Sequence, residues 1–282
     1  MRSKLEPPQV ATETVTPSRT WTLAGRRRHS ARMTDLHRFQ SFDGVSIGYR
    51  TLGEGWPTLM LHGFLASAET NWILPGIAAA VAATGRRVIA PDLRGHGRSD
   101  APTDPAAWPS DVLARDQEAL IAHLHLSDYD LVGYSLGART AVRMLARGAR
   151  PRKLVLGGMG DSGLMAAGAR AAMFEDSIRH GEAAKDPRAG RRVQAMMAAG
   201  GLKPEAMLGV LTSFVATSAE EIAAIDVPTL VVAGVRDDDN GSAEGLAAMM
   251  PDARAVRVPG DHLSAVMEPG LAETIVGFLE AP

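Results

Sequence analysis

The stretch that decides the fold of this chain is Gly133-Tyr134-Ser135-Leu136-Gly137, a G-x-S-x-G pentapeptide. It directly follows the apolar run 129–132 (YDLV) and precedes a helix-like run over residues 138–147. A serine at such a sharp turn between a strand and a helix is raised above the carboxyl end of the strand, where its hydroxyl is exposed to a ligand. Glycines flank the serine because larger side chains would clash where the strand and the helix nearly touch. The pattern makes Ser135 a candidate nucleophile.

Composition limits the classes of function. The chain has 282 residues, of which 45% are hydrophobic, enough for one large core or two small ones. The net charge of −2 gives no reason to expect nucleic acid or an anionic membrane as a partner. The absence of cysteine excludes disulfides, thiolate metal sites and cysteine nucleophiles. No apolar run approaches the ~20 residues of a membrane span. We expect a cytoplasmic protein, and we expect its partner to be a small-molecule substrate.

Residues 1–33 differ in composition from the rest of the chain. They carry seven Lys and Arg against two Glu, a local charge of +5, which leaves −7 for the remainder. The segment contains three prolines and the cluster 26–28 (RRR), but no apolar periodicity and no apolar region of the kind that a secretory signal needs. We expect a disordered extension here, with Met33 as an alternative start of the chain and a functional basic tail as the second interpretation.

From residue 34 onward, strand and helix patterns alternate. Short apolar runs, typical of strands buried on both faces, are separated by stretches with helical periodicity. The first two runs are joined at Asp43-Gly44, a hairpin signal. Strands are predicted at 36–42, 45–52, 58–62, 87–91, 129–134, 153–157, 228–235 and 253–258, and helices at 72–84, 111–126, 138–147, 243–250 and 270–279. This order predicts the α/β class, with a mostly parallel central sheet flanked by helices.

The alternation stops between residues 161 and 226. This segment is rich in Ala and Met and has helical stretches near 164–180, 187–199 and 204–224. A helical insertion between two parallel strands lies over their carboxyl ends, where ligands bind in such sheets. We therefore predict a helical lid at 161–226 on a core formed by residues 34–160 and 227–282. The many Ala, Met and Leu residues of the lid predict an apolar pocket beneath it, without a fixed charge. Charged clusters of the lid, such as 188–192, are expected on its outer, solvated face.

A serine hydroxyl needs a positioned base, and that base needs an orienting carboxylate. Asp237 comes just after the predicted strand 228–235. His262 follows the last predicted strand, and among the eight histidines it is the one in a loop just past a late strand. The order Ser, Asp, His is the one expected for a sheet of this kind. Asp237 is the favoured acid, and Asp238 and Asp239 remain alternatives.

A tetrahedral intermediate also needs hydrogen-bond donors for its oxyanion. The backbone N–H of Leu136, directly after Ser135, is one candidate. The other is the N–H of Phe64, in a loop after the strand 58–62 where Gly63 allows the required backbone conformation. No metal and no cofactor are expected. In the acidic run 237–241 (DDDNG) the glycine falls at the fifth position, whereas a calcium loop has it at the sixth.

Five motifs, in this order, resemble the α/β-hydrolase fold family over roughly residues 36–281. They are His62-Gly63-Phe64, 92–99 (DLRGHGRS), Gly133-Tyr134-Ser135-Leu136-Gly137, 234–237 (GVRD) and Gly260-Asp261-His262. The resemblance implies a catalytic triad of Ser135, His262 and Asp237 with an oxyanion hole from Phe64 and Leu136. It also implies that the loop 92–99 is largely structural, so that His96 is a structural histidine and not a base.

The resemblance further implies a serine hydrolase that forms an acyl-enzyme on Ser135. A carboxylic ester hydrolase acting on a small neutral, largely apolar substrate is the first expectation. Hydrolysis of lactones, thioesters, peptides or carbon–carbon bonds stays open because the lid decides the substrate. A small-molecule receptor or a lyase of the same family is the alternative from a different functional class.

Overall fold

The computed structural model describes residues 35–166 and 168–282, so the expectation for residues 1–33 lies outside the described residues. Within them, one sheet is formed by eight strands, β1 Asp35–Gln40, β2 Ser46–Leu52, β3 Trp56–Leu61, β4 Arg86–Pro91, β5 Asp130–Tyr134, β6 Leu154–Gly157, β7 Thr229–Gly234 and β8 Ala253–Val258. Their order in the sheet is β1-β2-β4-β3-β5-β6-β7-β8. β2 pairs antiparallel with β1 and with β4, and all the other pairs are parallel, which confirms the predicted mostly parallel sheet.

Helices cover both faces of the sheet. The α-helices of the described residues are α1 Ile77–Ala82, α2 Val112–His123, α3 Leu136–Ala146, α4 Asp161–Met165, α5 Gly168–His180, α6 Pro187–Gly200, α7 Pro204–Thr212, α8 Ala219–Ala223, α9 Ala243–Ala248 and α10 Pro269–Glu280. α1 and α10 lie on one face, and α2, α3 and α9 contribute to the core on the other. In the described part of the chain, no helix is long and apolar enough to cross a membrane.

The central strands are buried on both sides, as their continuous apolar sequences predict. Every residue of β5 and β7 is buried. Within β5, Leu131 belongs to the core on one face and its neighbour Val132 to the core on the other. Since successive side chains of a strand point to opposite faces, a sheet covered on both faces needs apolar residues at consecutive positions.

Two predicted helices are interrupted. The stretch 72–84 begins in the last two residues of a single π-helical turn, Glu69–Ile73, and continues in α1. The two are separate because Gly76 between them has a left-handed backbone with φ 84°. The stretch 204–224 forms α7 and α8. α8 begins after its N-cap residue, Ser218. The Ser218 side chain accepts a hydrogen bond from the Glu221 N–H, and the Glu221 side chain accepts one from the Ser218 N–H. This reciprocal capping box fixes a new helix start inside the predicted helix.

The loop 92–99 is held in place by buried charges. Arg94 is fully buried and donates to both carboxylate oxygens of Asp116, at 2.9 and 2.7 Å, and to Asp43 at 2.7 and 2.8 Å. Ser41 donates to the same Asp116 at 2.6 Å. Since each buried charge is paired and hydrogen-bonded, this network ties the loop to the β1–β2 turn and to α2.

The strand order defines where a ligand binds. β3 has β4 on one side and β5 on the other, so the strand order reverses at β3: the chain first adds β4 on one side of it and then β5 to β8 on the other. In open α/β sheets, the crevice outside the carboxyl ends of the strands at such a reversal is the usual ligand site. The carboxyl ends of β3 and β5 lead directly to Phe64 and Ser135, and those of β7 and β8 lead to Asp237 and His262.

Candidate active site

Ser135 lies at a strained turn between β5 and α3. Its backbone has φ 52° and ψ −109°, a conformation that residues other than glycine rarely adopt and that costs roughly 1–3 kcal/mol. A side chain at Gly133 would clash with the carbonyl oxygen of Gly137, and one at Gly137 would clash with that of Leu61. Small residues at both positions therefore allow α3 to approach the sheet closely, and the turn leaves Ser135 only partly buried.

The structure brings Ser135, His262 and Asp237 into one hydrogen-bonded line. His262 Nε2 lies 3.0 Å from Ser135 Oγ. On its other side, His262 Nδ1 lies 3.1 and 3.0 Å from the two carboxylate oxygens of Asp237. A carboxylate can only accept, so Nδ1 carries the proton and Nε2 is free to accept from the Ser135 hydroxyl. Asp237 and His262 are buried, which shields their hydrogen bonds from water.

Among the three neighbouring acids, Asp237 is the one whose carboxylate reaches His262. Asp238 is exposed, and Asp239 forms an ion pair with Arg170 at 2.9 Å. Asp237, Asp239 and His262 together offer three ligand atoms within 4.8 Å of one another. Since those atoms already serve as partners of one another and of Arg170, the arrangement accounts for itself without a metal ion.

Tyr134 fixes the backbone that carries the histidine. Its hydroxyl donates to the carbonyl oxygen of His262 at 2.7 Å. Burial raises the pKa of Tyr134, so the phenol keeps its proton and remains a donor. Sequence reasoning missed this contact, although Tyr134 lies inside the G-x-S-x-G pentapeptide, because it joins residues 128 positions apart.

The two predicted oxyanion donors, the N–H groups of Phe64 and Leu136, lie on different elements next to Ser135. The Gly63 N–H donates to Asn71 Oδ1 at 2.9 Å, which orients the loop after β3. Within the described residues, the N–H of the next residue, Phe64, donates to no acceptor. Leu136 is the first residue of α3, and such a position has no acceptor inside its own helix. Phe64 and Leu136 line one small cavity together with Ser135. No sequence pattern pointed to Asn71.

Two cavities meet at Ser135. The larger has a volume of about 850 Å³ and is lined by His262 as well as by residues of α5 and α6. The smaller has a volume of about 40 Å³ and extends from Ser135 towards α3 and α7. The larger volume falls within the range of roughly 300–1,000 Å³ that is usual for sites of small ligands.

The expectation of a cavity without fixed charges is wrong. Arg170 and Arg192, both from the segment between β6 and β7, line the larger cavity. Arg192 belongs to the cluster 188–192 and is exposed, as expected for that cluster, but it also lines the larger cavity. It precedes Met196 and Ala199 by four and seven residues, so the three share one helical face, and all three line the cavity. The sequence pattern identified the helix but not the direction of this face.

Arg139 is a buried charge without a partner. It lies in α3, one turn after Ser135, is 8% exposed and lines the smaller cavity. Within the described residues its guanidinium forms no hydrogen bond and no ion pair, and Nη1 is completely buried. The guanidinium lies over the ring of Phe214, 5.0 Å from the centroid. Such a contact contributes up to about 2 kcal/mol, which is less than the several kcal/mol that burial of an unpaired ion costs.

Burial lowers the pKa of Arg139 to about 10, so the side chain remains charged at neutral pH. Sequence reasoning missed this residue because an arginine inside a helix is ordinarily solvated. Its environment follows only from the packing of α3 against the loop that carries Phe214.

Two buried histidines next to the site are structural. His62 Nδ1 donates to the Gly63 carbonyl oxygen at 2.8 Å, and Nε2 accepts from the Leu93 N–H at 2.9 Å. Both nitrogens are therefore used by the neutral ring. Burial lowers the pKa of His62 to about 4 and, together with His62, that of His96 to about 3. His96 lies in the loop 92–99, and its ring contacts backbone groups of Leu65 and Arg94.

These histidines predict a loss of stability in mild acid. Since their folded-state pKa lies below the value of 6.5 expected when unfolded, the unfolded chain takes up the protons first. Stability is present above about pH 6.5 and is lost as the pH falls towards 4, by about 2 kcal/mol per histidine on reaching pH 5. Urea unfolding at pH 7 and pH 5 measures this loss.

Two control variants show whether the pH-dependent loss of stability comes from the buried histidines or from exposed ones. His96→Asn should remove about half of the pH-dependent loss, because one of the two depressed groups is gone. His125→Asn, at an exposed position with φ 52° that Asn tolerates, should leave the loss as it is. Equal unfolding free energies of the unmodified protein at pH 7 and pH 5 would contradict the assignment.

The fold agrees with similarities to known proteins. The sequence profile of the α/β-hydrolase fold matches residues 57–195. A hydrolase from Pseudomonas aeruginosa PA01 has a structure that superposes with a TM-score of 0.72 and 24% identity, covering 88% of this chain and 99% of its own. The esterase RhEst1 from Rhodococcus sp. ECU1013 superposes with a TM-score of 0.69 and 24% identity, covering 87% and 98%. The chain has the fold of the α/β-hydrolase family.

A curated relative matches a shorter region. The 2-hydroxymuconate semialdehyde hydrolase of Pseudomonas sp. (strain CF600) is 35% identical over 126 residues, which cover 43% of this chain. The match spans less than half of the relative's length, 42%. This similarity therefore supports the family and leaves the reaction to be argued from the site.

Proposed function

We propose that this protein is a serine hydrolase that cleaves an ester-like acyl bond and forms an acyl-enzyme on Ser135. The observation that carries the proposal is the line of hydrogen bonds from Asp237 through His262 to Ser135, with distances of 3.0–3.1 Å at both ends of the imidazole. A hydroxyl, a base and an orienting carboxylate in this arrangement are what nucleophilic attack on a carbonyl requires.

In the first half of the proposed reaction, Ser135 Oγ attacks the carbonyl carbon and His262 Nε2 takes the hydroxyl proton. Asp237 holds the imidazole in the required tautomer and stabilises the imidazolium. The negative charge moves to the carbonyl oxygen, where the N–H groups of Phe64 and Leu136 are the donors. His262 then gives its proton to the leaving alcohol, the bond to that oxygen breaks, and the acyl group stays on Ser135.

In the second half, water replaces the alcohol. His262 takes a proton from the water as its oxygen attacks the acyl carbon, and the same two N–H groups receive the second oxyanion. When the intermediate collapses, His262 returns the proton to Ser135 Oγ and the carboxylic acid leaves. Each proton that His262 takes up is released within the same half-reaction, so the site returns to its initial state.

We further propose that the helices of residues 161–226 form a lid on a core of residues 34–160 and 227–282. Phe174 of α5 supports this assignment, because its ring meets that of Phe64 at 4.9 Å above the carboxyl end of β3. Together with Met196 it lines the larger cavity, so these helices enclose the space in which a substrate contacts Ser135. The lid residues then determine which ester-like bond reaches the nucleophile.

Turnover of nitrophenyl acetate tests the proposed function, because a receptor or a lyase of the same fold would bind without hydrolysing it. We expect an initial burst of nitrophenol with an amplitude near the enzyme concentration, followed by slower steady release. The burst should be absent in Ser135→Ala. Hydrolysis at the rate of the buffer alone, or equal hydrolysis by Ser135→Ala, would contradict the proposal.

A further inference from the structure

The two cavities at Ser135 serve different parts of a substrate. His262, which protonates the leaving group in the proposed reaction, lines the larger cavity and not the smaller one. The leaving alcohol therefore belongs in the larger cavity, and the acyl group points towards the smaller one. Phe64 and Leu136, the proposed oxyanion donors, both line the smaller cavity, as expected if the carbonyl group lies at its entrance.

The smaller cavity is lined by two cationic side chains, only one of which is paired with an acid. Of the residues that line it, Arg139 and Arg170 are cationic and none is acidic. Arg170 is already paired with Asp239, whereas the guanidinium of Arg139 has no hydrogen bond and no ion pair among the described residues. A buried guanidinium with free N–H groups is a site for an anion, because its planar fork matches the two oxygens of a carboxylate.

The size of the cavity limits the anion. A volume of about 40 Å³ has room for roughly three water molecules, at about 10–15 Å³ each. Three water-sized positions correspond to the carbon and two oxygens of a single carboxylate. Phe214 covers one face of the guanidinium, so a ligand has to approach it from the side, in the plane of its N–H groups.

We propose that Arg139 is a specificity-determining residue that binds a carboxylate at the far end of a short acyl group, so that the preferred substrates are monoesters of short dicarboxylic acids. This inference rests on the proposed function. Ion pairing with the substrate then satisfies the charge of Arg139 and draws the carbonyl carbon towards Ser135. A neutral acyl group of the same size leaves the guanidinium buried and unpaired.

Matched substrates test the inference directly. The monoethyl esters of malonic, succinic and glutaric acid are compared with the corresponding ethyl ester amides, in which a carboxamide replaces the carboxylate with little change in size. We expect kcat/KM to favour the acid over its amide by about 100-fold for at least one chain length, the size of effect that loss of a buried ionic partner produces. In Arg139→Met, which keeps a long side chain without charge, the ratio should fall to near one.

Arg191→Met is the matched control. Arg191 is exposed, lies in α6 and lines neither cavity, so this variant should keep the preference of the unmodified protein. If Arg139→Met does not fold, inhibition of the unmodified protein supplies the second measurement. The free dicarboxylate should inhibit ethyl butyrate hydrolysis about 100-fold more strongly than its monoamide.

The outcomes separate this inference from the proposed function. No hydrolysis of any ester, ethyl butyrate included, would overturn the proposed function itself. Hydrolysis of ethyl butyrate with no preference for any acid over its amide would overturn only the role of Arg139. A preference for the acid that a folded Arg139→Met variant retains would also overturn it, because another cation would then bind the carboxylate.

Discussion

Ser135→Ala is expected to lower kcat for ester hydrolysis by about 10⁴- to 10⁶-fold, because the variant retains only the proposed oxyanion donors and substrate binding. The protein should remain folded, since Ser135 is only partly buried and alanine fits the same turn with one atom fewer. Steady-state kinetics with nitrophenyl acetate measure kcat, and circular dichroism with thermal unfolding checks the fold.

His262→Ala should cause a loss of similar size, and the double variant should be hardly slower than either single variant. The two residues act as one unit, so removal of the second has little left to disrupt. A double variant that is slower by the product of the two single effects would show that Ser135 and His262 work independently, which the 3.0 Å hydrogen bond between them does not predict. Thr140→Ser serves as a conservative control that should keep kcat. Thr140 is buried in α3, and its hydroxyl donates to the Leu136 carbonyl oxygen, a hydrogen bond that serine can also form.

Asp237→Asn is the second large effect, with an expected loss in kcat of about 10²- to 10⁴-fold. The amide keeps the size of the side chain but presents an N–H₂ group as well as an oxygen to His262 Nδ1. It therefore permits the tautomer with the proton on Nε2, which cannot accept from Ser135. It also no longer stabilises the imidazolium. The measurement is kcat at neutral pH, with thermal unfolding as the check on folding.

The neighbouring acids provide the controls for Asp237→Asn. Asp238 is exposed and should tolerate Asn with little effect on kcat. Asp239→Asn should have an intermediate effect, because it weakens the ion pair with Arg170 at the rim of the larger cavity. Equal and mild losses at all three positions would mean that the acid of the site lies elsewhere on the fold.

The features that depend on local pattern were predictable from the sequence. Continuous apolar runs predicted the buried strands, and β8 was predicted with its observed bounds, Ala253–Val258. The strained turn at Ser135 was predictable as well, because a serine between glycines at a strand–helix junction is typical of a nucleophile raised above the sheet. Each of these signals depends on only a few neighbouring residues, so it can be recognised from the sequence alone.

The features that depend on packing were not predictable. Asn71 is ordinary in the sequence and gains its role only because its amide oxygen meets the Gly63 N–H across a loop. The charge of the cavities was predicted wrongly, since it depends on which face of α6 carries Arg192 and on what surrounds Arg139 in α3. The sequence alone could not determine the direction of a helix face relative to a cavity.

The choice among three consecutive acids shows the same limit at a smaller scale. The sequence predicted that the acid lies within 237–239, but the direction in which each carboxylate points could not be predicted from it. In the structure, the Asp237 N–H donates to the Gly234 carbonyl oxygen at 3.0 Å, which turns the chain back at the end of β7. That turn directs the first carboxylate inward to His262 and leaves Asp238 exposed.

Covalent labelling with a fluorophosphonate tests the central claim, that Ser135 is an activated nucleophile, most directly. Such a probe reacts with a serine only where a base removes the hydroxyl proton and donors stabilise the oxyanion of the adduct. Intact mass and peptide mapping should give one adduct per chain, located on Ser135. The adduct should be absent in Ser135→Ala and form far more slowly in His262→Ala. An unlabelled protein, or an adduct on a residue other than Ser135, would contradict the claim.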